Sequence, residues 1–142
     1  MANWLRGVIH LRGSKQSLRK FILNLIDPDD LEAANITEDS VYLKTTCHVG
    51  FHIANTRGNY IDGYEVNINF SDVIPDENSY YMFRLDFSSC GTLDVEGMCN
   101  LSQLYAIDFA IDVYDAWTGI NQDICIINGS VVRHNVTQDD SR

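Results

Sequence analysis

Apolar and polar positions alternate from the start of the chain. Leu5, Gly7, Ile9 and Leu11 interleave with Arg6, Val8, His10 and Arg12 ahead of Gly13, which predicts a strand over residues 4–12. Ser14 stands at an N-cap position, and Leu18, Phe21, Ile22 and Leu25 follow at the spacing of one helix face. The helix is expected over 15–26, stopped by Asp27-Pro28 because proline disfavours helical geometry in the residue before it. Residues 29–39 are acidic and lack a period, and they read as a loop or a short helical turn around Leu31 to Ala34. Three β-rich stretches follow, Val41–Ile53, Gly63–Phe70 and Tyr80–Phe87, with hairpin chemistry at Asn55 to Asn59 and a break at Pro75 to Asn78.

Met98, Leu101, Leu104 and Tyr105 fall at helical spacing and predict a second helix within Val95–Tyr105. The cleanest alternation comes next: Ile107, Phe109, Ile111 and Val113 against Asp108, Ala110, Asp112 and Tyr114, a strand with one apolar and one acidic face. Gln122–Ile127 and Ser130–His134 are further strands joined by Asn128-Gly129, a strong two-residue hairpin signal. Two helices among antiparallel strands predict an α+β domain over 1–136: a ferredoxin-like antiparallel sheet with both helices on one face and an inserted β-hairpin. The alternative is an irregular, mostly-β domain with one long helix. Residues 137–142 read as a flexible tail.

Composition changes this picture little, since 142 residues at 45% hydrophobic suit one core. No apolar run reaches the length of a membrane span, and Arg6, His10 and Arg12 interrupt any signal-peptide core, so a cytoplasmic protein without membrane contact is expected. Cys47, Cys90, Cys99 and Cys125 match neither a CxxC pair nor a compact secreted framework and read as reduced, mostly buried thiols.

Charge changes it more. Twenty acids against ten bases give −10, and residues 1–26 hold five bases and no acid. The remaining chain sums to −15, which repels nucleic acid and anionic lipid and favours basic protein surfaces. Asp108 and Asp112, with Asp86, Asp94, Glu96, Asp115 and Asp123 near them in sequence or pairing, are the candidate binding set. Alternate strand residues stand about 6.6–6.8 Å apart, near the phosphate spacing of a single strand, so such a face can imitate nucleic acid. Trp117, beside Thr118-Gly119, is a candidate aromatic anchor.

Other chemistry is weaker. Cys47, His48 and His52 lie within six residues, but on a strand the thiol points away from the two imidazoles, so no metal site is assigned. With no Walker loop, GxGxxG, HExxH or GxSxG, no catalytic residue and no cofactor are assigned, and the expectation is a binding protein rather than an enzyme.

Met1-Ala2-Asn3-Trp4 running into a strand, a glycine and an amphipathic helix resembles the start of Api-like proteins of phages and plasmids. Leu104 to Phe109, Trp117-Thr118-Gly119 and Asn128-Gly129 are similar to that family's second half. The chain departs from the family at Leu5-Arg6-Gly7 and at Ser88-Ser89-Cys90-Gly91. The resemblance covers about residues 1–26 and 80–134, and implies a ferredoxin-like domain of mobile-element origin. It also implies an anti-CRISPR-like inhibitor occupying the basic, nucleic-acid-binding surface of a host defence nuclease. The alternative is an assembly module that forms a homodimer through an edge strand.

Overall fold

The alternation at the amino end becomes a long central strand, and the Ser14 hydroxyl turns the chain into a helix by accepting the Ser17 amide at 3.1 Å. The computed structural model describes residues 3–138. In chain order its elements are β1 (Trp4–Ser14), α1 (Lys15–Leu23), β2 (Leu31–Ile36), β3 (Ser40–Thr45), β4 (Phe51–His52) and β5 (Asn59–Ile61). β6 (Glu65–Asn69), a 3₁₀ turn at Phe70–Asp72, β7 (Tyr80–Cys90), α2 (Val95–Tyr105), β8 (Asp108–Asp115), β9 (Ile120–Ile127) and β10 (Ser130–Gln138) complete it. Met1 and Ala2, part of the amino-terminal resemblance, and 139–142 of the expected tail lie outside the described residues.

The architecture is α+β, with a seven-stranded sheet in the order β10-β9-β8-β1-β7-β5-β4 and a three-stranded sheet in the order β2-β3-β6. Every strand pairing is antiparallel. The sheet is therefore larger than expected, and the insertion is a whole second sheet plus β4 and β5 rather than one hairpin. α1 and α2 share a face of the large sheet: Phe21 meets Tyr105 at 5.8 Å between ring centroids and Phe109 at 5.4 Å. Leu5, Ile9 and Leu11 of β1, the odd positions Phe109 to Val113 of β8, and Val41, Leu43, Val66 and Ile68 of the small sheet join one buried cluster.

Several expectations need correction. α1 ends at Leu23 instead of 26 because Asn24, Leu25 and Ile26 close three-residue turns onto Phe21, Ile22 and Leu23 before Pro28 is reached. Residues 31–36 form a strand, not a loop or helical turn. β2 pairs with β3 across a bulge between Leu31 and Ala33 and is exposed from Glu32 onward, so it carries no burial period to read. The stretch Val41–Ile53 breaks at Cys47–Gly50, where the Gly50 amide bonds the Cys47 carbonyl at 3.1 Å and Gly50 takes a φ of 104°. Leu104 is exposed while Tyr105 packs on the core. The last strand runs on through Thr137 and Gln138. The four cysteines are unpaired and each is half-buried.

Asn128-Gly129 makes the β9–β10 turn as expected, with φ of 53° and 78° at the two residues. The Gly129 amide donates to the buried Ser102 hydroxyl of α2 at 3.0 Å and latches the hairpin to the helix.

Candidate binding surface

One face of the large sheet carries the helices; the other is open. Its residues are the alternate positions of β7, β1, β8 and β9, and the pairing register arranges them in rows across the strands. Asp86 opposes Val8, Val8 opposes Asp112, and Asp112 opposes Asp123. Three of the expected acids therefore share one transverse row, a different arrangement from a ladder along one strand. Directly opposed like charges cost stability, and here Arg133 relieves the pair by bonding Asp123 at 3.0 Å. That bond holds the Arg133 guanidinium above its ordinary pKa. Asp86 and Asp112 are exposed and make no ion pair among the described residues.

Asp108 lies on the same face but is engaged. Arg12 reaches its carboxylate at 3.2 Å and that of Asp76 at 2.7 Å, and stacks over the Tyr80 ring at 4.7 Å. The Asp76 bond raises the Arg12 pKa, and the Tyr80 amide, Arg12 and the Asn78 amide together lower that of Asp76.

The remaining candidates sit elsewhere. Asp94 is the N-cap of α2, 7% exposed, accepting the Gly97 amide at 3.0 Å and the Arg57 amide at 2.7 Å. Burial alone would raise its pKa, but those amides and the Arg57 charge outweigh burial and hold the carboxyl below its ordinary value. Glu96 is exposed in the first turn of α2. Asp115 turns inward at the end of β8 and accepts the Trp117 amide at 2.9 Å. Trp117 stands in that β8–β9 turn, 75% exposed.

Sequence reasoning missed the arginines of the open face. Arg6, Arg12, Arg84 and Arg133 match Asp86, Asp108, Asp112 and Asp123 in number, so this face is mixed in sign. The signal was present in the first strand, whose Arg6, His10 and Arg12 alternate with its buried leucines and isoleucine. The largest share of the excess acid lies in 27–78, which holds eleven of the acids and two of the bases. Part of it is met by α1, whose Lys15 pairs with Asp39 and whose Arg19 caps the Thr37 carbonyl.

Cys47 and His48 lie in the β3–β4 turn and His52 on β4, where its ring contacts Tyr60 at 5.3 Å and the Thr56 carbonyl at 3.0 Å. Among the described residues no three His, Cys, Asp or Glu side chains converge to hold a metal, and no helix is long and apolar enough to cross a membrane. No family model, curated protein or solved structure matches the chain.

Proposed function

We propose that the chain is a non-enzymatic binding protein whose open sheet face docks on a basic protein surface. The observation that carries this reading is the row Asp86, Asp112, Asp123, in which two carboxylates make no ion pair among the described residues and two like charges stand directly opposed. Such groups gain most when an arriving cation is desolvated against them. The net charge of −10 supports attraction at longer range.

The resemblance at 1–26 and 80–134 narrows the partner to a nucleic-acid-binding defence nuclease in a host cytoplasm, inhibited in an anti-CRISPR-like manner. We also read β8-β1-β7-β5 as a ferredoxin-like unit, extended by β9, β10 and β4. What supports this is the placement of α1 after β1 and of α2 between β7 and β8.

The test is capture of partners from bacterial lysate on the tagged full chain at low and high salt, beside the D86N/D112N variant. A nucleic-acid-binding protein retained at low salt, released at high salt and lost with the variant is expected. Equal capture by the folded variant overturns the reading.

A second reading, edge-strand dimerisation, draws on β10, a nine-residue edge strand exposed throughout with Val131, Val132 and Val136 in water. Sedimentation over a range of concentrations separates it from a monomeric binder.

A further inference from the structure

The open face is not uniformly polar. One step along the strands from the carboxylate row, Ala110 of β8 opposes Cys125 of β9, two small side chains side by side. His10, Arg12, Met82, Asp108 and Ile127 stand around them, and together they line an open groove of about 290 Å³. Met82 is 53% exposed and Ile127 45%, so the groove leaves apolar surface in contact with water. Its one guanidinium wall is already neutralised, because Arg12 is held between Asp76 and Asp108.

The groove and the carboxylates are in register. Asp112 follows Ala110 by two residues on β8, and Asp123 precedes Cys125 by two on β9, so the apolar floor and the acids lie about 6.8 Å apart. An extended segment repeats its side chains on one side at that same interval.

We propose that this groove receives an aliphatic side chain of the basic partner, from an extended segment in which a Lys or Arg stands two residues away and pairs with Asp112. The proposal rests on the binding reading above and adds the recognition pattern: one apolar anchor beside one cation. The anchor supplies the salt-resistant part of the affinity and the carboxylate row the salt-sensitive part. Met82, unbranched and adaptable, shapes the wall to the entering side chain.

The test uses two labelled nine-residue synthetic peptides, one with leucine two residues from lysine, the other with serine replacing the leucine. Fluorescence anisotropy is measured against the full chain and three variants. Ala110→Leu fills the groove, Ile127→Ser removes a wall without filling it, and Asp112→Asn removes the charge; thermal melts establish that each is folded. The leucine peptide should bind the unaltered protein about tenfold more tightly than the serine peptide. That preference should vanish in both groove variants, whereas Asp112→Asn weakens both peptides alike and flattens the salt dependence. Equal binding of the two peptides, or a preference that survives both groove variants, overturns the groove assignment. If binding still falls with Asp112→Asn in that case, the charge reading stands alone. A leucine preference kept at full affinity in Asp112→Asn overturns the paired-cation part and counts against the charge reading.

Discussion

The open face of the seven-stranded sheet and the segment 27–78, which builds the three-stranded sheet and adds β4 and β5, handle charge in opposite ways. On the first, four aspartates share the face with four arginines at positions fixed by the register, and Asp108 and Asp123 are paired with Arg12 and Arg133. In the second, eleven acids meet two bases, and the outer strand β2 is exposed from Glu32 to Ile36. Excess charge of one sign acts over a distance and is screened by salt, so it governs encounter. Matched charges at defined positions act at contact, so they govern orientation and discrimination. The region that holds most of the excess acid thus differs from the face we propose as the recognition surface.

The largest effects should test whether these regions are one folding unit. Phe109→Ala should cost about 3–5 kcal/mol and Leu43→Ala about 2–5 kcal/mol, since both are fully buried in the same cluster. Calorimetry should show one transition lowered in both variants. A separate, earlier melt in Leu43→Ala would divide the molecule between the seven-stranded sheet and the three-stranded one.

Gly7→Ala should come next, at about 1–3 kcal/mol. A Cβ there would lie 1.8 Å from the Asp112 carbonyl oxygen, so β1 and β8 must part to admit it. Denaturant titration reads the loss, and an unchanged midpoint would show that the β1–β8 spacing yields freely.

Asp94→Ala should cost about 0.5–2 kcal/mol through loss of the α2 cap. Because its folded pKa is lowered, the Asp94 contribution is complete above the unfolded value and is lost as pH falls below about 4 through the folded one. The variant should show a shallower acid limb than the unaltered chain in stability measured from pH 6 to 2.

The smallest effect has the opposite sign. Asp112→Asn removes the opposition to Asp123 and should stabilise the fold by about 0.2–1 kcal/mol while weakening binding. A loss of stability would mean that Asp112 serves the fold and not a partner.

Elements with their own burial period were legible in the sequence. β8 alternates because helices cover one side of it, α2 spans Val95–Tyr105 as its spacing implies, and Asn128-Gly129 supplies left-handed residues where a tight hairpin needs them. β2 and the three-residue β5 were not legible: β2 pairs with the neighbouring β3 but is exposed from Glu32 onward, and β5, held between β4 and β7, is too short to show a period. The candidate site was half legible. That Asp108 and Asp112 share a face follows from strand geometry, and Asp123 joins Asp112 on the neighbouring β9, but Asp86 enters the row across Val8 of β1, through a register between strands far apart in the chain. Asp94 and Asp115 leave the set for different reasons: Asp94 caps the unfilled amides at the start of α2, and Asp115 shares the parity of Phe109, Ile111 and Val113, so it points to the covered side of β8.

β1 is central to the large sheet, yet both of its neighbours are encoded far downstream: β7 opens at Tyr80 and β8 closes at Asp115. At ribosomal speeds the 76 residues from Trp4 to Tyr80 take roughly 4–15 s to synthesise. For that interval both hydrogen-bonding edges of the β1 segment, and its apolar Leu5, Ile9 and Leu11, are without their native partners. Residues 1–26 hold five cations and no acid, so like charges flank the apolar positions of β1 and disfavour its pairing with a second copy of itself.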